Sequence, residues 1–370
     1  MKHATSTAMR ESVERIAELK ALYRTEDYWK FTTEVKEHVY EKVLEAIPDF
    51  YKKNPELYNL LEEYPKRRGH YSRPLLLILS ALSLSDGSDK ELFNKAIELG
   101  AIIQLSEEWI LVHDDIMDGA SMRRGKPTLN GMVGPEIAML VGDILHNAMA
   151  EAMHNFAQKY GAQGEKIYKV FNNEIGNATA LGQYLDLKFT KLIRDPGAVG
   201  EDFYIDIVNG KTLQYTVKGP MVLAAILAGK GPDMIEKIVR IAESAGIAFQ
   251  INDDLIDMKT GAKSGKDQYG DLYEGKLTLI IHHAYTHATT EEKSRILEIY
   301  RKDRKDKTQE DIEFLKGVIS KYNSMQYVEA KKEEAEGSTW KNMQEYAKEM
   351  PSNKYASWLL ATILMLYNRD

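Results

Sequence analysis

Asp114, Asp115 and Asp118 close an apolar stretch that begins near Gln104, and Arg123 and Arg124 come next, past Gly119. Residues four apart share a face of a helix, so the Asp114 and Asp118 carboxylates point into one space with Asp115 flanking them. Like charges at that spacing destabilise a bare helix by roughly 0.2–0.5 kcal/mol, which calls for a compensating cation. Carboxylate oxygens that bridge protein to phosphate suit Mg2+, and the planar guanidinium forks of Arg123 and Arg124 suit phosphate oxygens. A solvated acidic helix end explains this stretch equally well when it is taken alone. The segment from Phe249 to Asp257 breaks that tie: it repeats the spacing with Asp253, Asp254 and Asp257 behind another apolar run, and Lys266 and Lys276 stand after it. Two helices that each end in carboxylates can face one cavity, and the pairing favours a metal and phosphate site over chance.

The elements that must position these groups read as helices. Charged and apolar residues alternate at helical spacing over 8–30 and 32–46, and Pro48, Pro55 and Pro65 fall after or between such segments. The basic, glycine-broken approach from Lys66 to Pro74 opens onto an apolar helix over 75–84, a plausible anion site at a helix N-terminus. Ser88 and Glu91 have capping-box spacing for the helix that delivers the first acidic group. Helices are expected over 136–160 and 165–194, with a break from Gly161 to Gly164 between them. Asn209-Gly210 interrupts the next helix, where glycine can kink the backbone and present Lys211 inward. The helix over 233–258 carries the second acidic group, and 259–276 reads as a long glycine- and lysine-rich loop of the kind that serves as a lid or binding element. Beyond Thr289 the chain is charged and helical, with a solvated basic run at 301–307 and a last apolar helix that buries Trp358, Leu359, Leu360, Ile363 and Leu366.

Strand-like alternation is scarce and no repeat of 20–50 residues is evident, so the expectation is an all-α chain. Its 370 residues form a single domain in this reading, with an N-terminal helical layer (1–65), a catalytic core (66–285) and C-terminal helices (286–370). The net charge of −7 comes without a basic stripe, which gives no reason to expect a nucleic-acid partner. The absence of cysteine excludes disulfides and thiolate metal sites and fits a cytoplasmic setting. Neither a signal-peptide core nor an apolar run near the ~20 residues of a membrane span is present, so no stable membrane insertion is expected.

Over roughly residues 65–285 the chain resembles the trans-isoprenyl diphosphate synthases, or polyprenyl synthetases. The two Asp-Asp-x-x-Asp groups, Arg123-Arg124-Gly125, Gly182-Gln183 with Asp186, Lys211-Thr212, Phe249-Gln250, Gly265-Lys266, and Glu274-Gly275-Lys276 fall in that family's order. The resemblance implies an antiparallel helical bundle around a deep apolar cavity, a homodimer, and prenyl diphosphates as substrates. It implies Asp114, Asp118 and Asp253 as ligands of Mg2+, three ions together with bound diphosphate, and Asp115, Asp254, Asp257 and Gln250 as further catalytic-site residues. Arg123, Lys211, Thr212 and Lys276 would hold the allylic diphosphate, with Lys266 assisting. Trp109, five residues before Asp114, would face the cavity and limit product length. The acceptor site would comprise Gly69, His70, Arg73, Glu107 and Arg124, and here the chain departs from the family pattern, with His70 in place of lysine and Glu107 in place of histidine or glutamine. Both changes remove favourable interaction with an anion, and Glu107 repels one unless it is neutral or paired. The function implied is condensation of an allylic diphosphate with isopentenyl diphosphate. The alternatives are transfer to an acceptor without diphosphate, with His70 or Glu107 as general base, and a non-catalytic subunit of a heteromeric synthase.

Overall fold

The computed structural model describes residues 14–259 and 268–368. Helices α1 (Glu26–Ala46), α2 (Pro55–Lys66), α3 (Ser72–Ser83) and α4 (Lys90–Asp118) lead to a hairpin of β1 (Met122–Arg123) and β2 (Lys126–Pro127). Then come α5 (Pro135–Lys169), α6 (Asn177–Lys188), α7 (Glu201–Ile207), α8 (Gly219–Leu227) and α9 (Pro232–Lys259). The short α10 (Gly270–Glu274) is followed by α11 (Leu279–His287), α12 (Thr290–Tyr300), α13 (Gln309–Lys321), α14 (Ser324–Ala347) and α15 (Lys354–Leu366). The all-α expectation holds, and among the described residues no helix is long and apolar enough to cross a membrane.

α4 brings the first acidic group to the cavity. Asp89 caps its start by accepting the Leu92 N–H at 2.9 Å, so the cap lies one residue beyond the expected Ser88, which bonds to Asp86 instead. Gly119 ends the helix at φ 63°, a left-handed conformation that costs glycine nothing and turns the chain away directly after Asp118. The hairpin then sends the arginines back. Arg124 and Gly125, between its strands, both have positive φ, as a two-residue primed turn requires. A non-glycine residue held there is strained, and packing must hold it.

The break at Gly161 is present, with φ 55° and ψ −133°. The expected kink at Asn209-Gly210 is instead an 11-residue π-helical segment, Val208–Lys218, whose wider winding turns Lys211 toward α6. α6 meets this segment at Gly182 and Gly210, where a Cβ on Gly210 would lie 2.6 Å from the Gly182 Cα. Only two glycines allow that approach.

Buried apolar residues form two clusters that share α9. Ile238, Ile241, Ala242, Ala245 and Ala248 belong to the first, and Ile251 and Leu255 to the second, so the second acidic group sits where α9 passes between them. The expected apolar face of α15 is buried at all five positions, and each such side chain contributes about 1.5–3 kcal/mol. The run at 301–307 departs from its expectation. Lys307 is buried and donates to the carbonyls of Leu272 and Tyr273, Lys302 pairs with buried Asp311, and Arg304 pairs with Glu274. The run braces α10 and is solvated only in part.

Candidate active site

A cavity of about 1770 Å3 runs through the bundle, larger than the roughly 300–1,000 Å3 of sites for drug-sized ligands. On its wall Lys211 Nζ lies 2.7 Å from Asp186 Oδ2 and 3.1 Å from Asp114 Oδ1. Lys276 Nζ lies 2.8 Å from Asp118 Oδ2, 3.3 Å from Asp186 Oδ2 and 3.4 Å from Glu274 Oε2. Four carboxylates therefore share two ammonium groups, and the imbalance shows in their titration. Burial alone would raise Asp114, but Lys211, Lys276 and Arg123 hold it well below the usual carboxylate range. At Asp118 burial wins, helped by Asp114 and Glu274 against Lys276, and its pKa is pushed up to about 7. Burial lowers neither lysine on balance, since the surrounding carboxylates raise both.

The second acidic group is held differently. Asp254 is buried and accepts from Tyr204 Oη at 2.9 Å and Gln250 Nε2 at 2.8 Å, while Gln250 Oε1 accepts from Thr212 Oγ1 at 2.6 Å. Asp257 caps α10 by accepting the Gly270 N–H at 3.0 Å and the Asp271 N–H at 3.3 Å. Asp253, Asp254 and Asp257 line the same cavity as Asp114 and Asp118. Asp115 does not reach it. One residue on from Asp114 is about 100° round the helix, and Asp115 is fully buried between Tyr64 Oη at 2.5 Å and Arg123 Nε at 2.9 Å. Arg123 lines the cavity but spends much of its guanidinium on Asp115. Lys266 lies outside the described residues.

The residues expected at an acceptor site, Gly69, His70, Arg73, Glu107 and Arg124, all line the cavity. Arg73 Nη2 donates to Thr216 Oγ1 at 2.9 Å, and its guanidinium lies 4.3 Å from the centre of the Tyr215 ring. Arg124 donates to the Tyr64 carbonyl at 2.8 Å, and a Cβ at Gly69 would sit 2.7 Å from its Nη2, so glycine makes the room. Glu107 is paired, 2.9 Å from Arg73 Nη1 and 3.6 Å from Arg124 Nη2. Those arginines overcome burial and hold it below the usual range. Trp109 faces the cavity as expected, edge-on to His146 with ring centroids 4.9 Å apart.

Residues 54–319 match the family model for polyprenyl synthetase. The chain belongs to the polyprenyl synthetase family. This polyprenyl synthetase is 33% identical over 262 residues to the geranylgeranyl diphosphate synthase of Saccharolobus solfataricus, covering 70% of this chain and 74% of that one. Among solved structures it is similar to the geranylgeranyl pyrophosphate synthetase of Pyrococcus horikoshii, with 28% identity, a TM-score of 0.76 and coverage of 93% and 100% of the two chains. It also shares the fold of the geranylgeranyl pyrophosphate synthase of Corynebacterium glutamicum complexed with isoprenyl diphosphate and magnesium, with 22% identity, a TM-score of 0.80 and coverage of 92% and 99%. As a polyprenyl synthetase it is a prenyltransferase with the all-α fold of that family.

The donor set of this polyprenyl synthetase fits a hard divalent cation. Among the described residues no three His, Asp or Glu side chains stand together as a ready-made cage. The cavity wall nevertheless offers oxygen donors in excess over its lysines, and burial together with the neighbouring Asp114 and Glu274 pushes Asp118 up. Sequence reasoning named Asp186 and Glu274 within motifs but gave neither a role, and it missed Glu108. Asp186 bridges both lysines, and its signal was the four-residue spacing from Gly182, which contacts the Lys211 segment. Glu274 and Glu108 carried none beyond being acidic beside a named residue.

Proposed function

We propose that the chain condenses an allylic prenyl diphosphate with isopentenyl diphosphate to a longer trans-prenyl diphosphate, with Mg2+ held through Asp114, Asp118 and Asp253. The observation that carries this reading is the pair of half-buried lysines, Lys211 and Lys276, each bound to one aspartate of α4 and joined through Asp186 on the wall of a large cavity. Bound Mg2+ supplies Lewis-acid charge to the diphosphate oxygens. The two ammonium groups present fixed positive charge where negative charge develops as the allylic C–O bond breaks and diphosphate leaves with the bonding pair. The helical walls exclude water, which would otherwise capture the allylic cation. The double bond of the acceptor then attacks, a C–C bond forms, and one proton leaves to restore a double bond. Arg73 and Arg124 orient the acceptor's diphosphate, and Trp109 stops the growing chain.

The chain works as a homodimer in this reading. Ile137, Met139 and Leu140 near the start of α5 are about half exposed, and apolar patches of this kind mark association surfaces. The test is to incubate purified protein and Mg2+ with labelled allylic diphosphates, with and without isopentenyl diphosphate. Longer prenyl diphosphates that need isopentenyl diphosphate are expected; diphosphate release without elongation refutes the reading.

A further inference from the structure

The acceptor wall carries its own counter-anions. Glu107 Oε1 lies between the Arg73 and Arg124 forks at 2.9 and 3.6 Å. Glu108, with no exposed surface, takes Arg124 Nη1 at 2.9 Å and the Gln104 amide at 2.6 Å. Two guanidiniums therefore meet two carboxylates. The neighbouring cations that could compensate are also engaged: Arg67 with Glu63 at 3.0 Å, Arg68 with Glu37 at 2.5 Å, and Lys66 with Glu62 at 2.7 Å.

The two glutamates are not equivalent. Glu108 is locked from three sides, by Arg124, Gln104 and complete burial. Glu107 faces the cavity, and its second oxygen is buried without a hydrogen-bond partner among the described residues, as is Nε of Arg73, which Glu107 pairs with. The open Nε of Arg73 is a donor that an anion with more oxygens than one carboxylate can fill, whereas the open Glu107 oxygen is an acceptor that such an anion repels.

We propose that Glu107 is a specificity-determining residue whose carboxylate occupies the acceptor-phosphate subsite on Arg73 and Arg124, so that acceptor binding exchanges one anion for another. This rests on isopentenyl diphosphate being the acceptor. A diphosphate carries more charge and more acceptor oxygens than a carboxylate and wins the exchange, but it must first strip Glu107 from both guanidiniums and leave that carboxylate without partners. The acceptor is therefore held weakly, while the allylic half, which does not touch Glu107, keeps its affinity.

The experiment is steady-state kinetics at saturating Mg2+ on the wild type, Glu107→Gln and Glu107→His. Both variants remove the competing anion, and the KM for isopentenyl diphosphate falls by about tenfold or more while the KM for the allylic diphosphate stays where it was. An unchanged or raised acceptor KM in a folded variant overturns the proposal, because Glu107 then serves to hold the arginines in place. Direct titration of the wild type with isopentenyl diphosphate supplies a measurement that needs no variant. A dissociation constant in the upper part of the about 1 μM–1 mM typical of substrates supports the exchange, and one near the lower end overturns it. Failure of the acceptor reading looks different: all three proteins release diphosphate from the allylic substrate and none elongates it, and the proposal falls with that reading.

Discussion

Replacing Lys276 by methionine keeps the length of the side chain and removes a charge that touches three carboxylates, Asp118, Asp186 and Glu274, at 2.8, 3.3 and 3.4 Å. Breaking one partner out of a buried ion pair costs about 3–5 kcal/mol when the remaining charge has no relief. Here relief exists, because Asp118 already titrates at about 7 and takes up a proton when its ammonium partner goes. The loss of stability therefore lies at the low end of that range and grows as pH rises. The loss of rate is larger. A preorganised charge aimed at the leaving diphosphate is worth about 2.7–4 kcal/mol, or roughly 10²–10³ in kcat. The assay is kcat and KM for the allylic diphosphate at saturating acceptor, on protein whose helical circular dichroism matches the wild type, with Lys276→Arg as the charge-conserving control. Lys276→Met should lose about 10²–10³ in kcat/KM and Lys276→Arg distinctly less. A folded Lys276→Met protein within about tenfold of wild type would show that Lys276 only neutralises Asp118 and Asp186 and does no electrostatic work on the substrate.

Trp109→Ala should lengthen the products, read as a shift to heavier prenyl diphosphates by mass spectrometry; an unchanged distribution would mean that Trp109 is only a helix contact against His146. Gly182→Ala places a methyl into the backbone of Gly210 and Lys211, so melting temperature and allylic affinity should both fall, whereas wild-type values for both would disprove the close contact. Asp118 and Asp254, raised on folding from an ordinary value of about 4 to about 7, give stability that is present in full below the ordinary value and lost as pH rises through about 7. The metal-free protein should accordingly melt lower at pH 8 than at pH 6. Mg2+ competes with the proton on Asp118, so its apparent activation constant should worsen below pH 7 by up to about tenfold per unit. A constant independent of pH between 6 and 8 would remove Asp118 from the metal site.

The geometry around Asp114 and Asp118 was legible because it lies in local spacing. Asp114 and Asp118 share a face by helical geometry alone, and Gly119 marked the turn after them. Lys211 was expected to point inward, and it does so through a π-helical segment. Helical spacing left Asp115 flanking the pair, and the catalytic role that the resemblance implied for it meets a side chain one residue too far round to reach the cavity. What sequence spacing does not carry is the partner from a distant element. Glu107 raised the question of a paired carboxylate, but Arg73 and Arg124 as its partners come from folding three segments together. Lys276 reaches Asp118 across 158 positions. The basic run at 301–307 looked solvated because hydropathy counts charge and ignores the carbonyls of Leu272 and Tyr273 that Lys307 finds in the interior.

The contact between Gly182 and Gly210 also bears on how such a chain can change over generations. Neither position can gain a methyl without displacing the backbone that carries Lys211, and since the obstacle is main chain, no second substitution at the other position makes room. The crossing is a fixed origin from which the diphosphate end is measured. Trp109 on the cavity wall meets side chains instead, and side chains can be exchanged one at a time. Under the proposed function, lineages descended from this protein are therefore free to drift in the length of what they make while the frame around Lys211 stays pinned at two glycines.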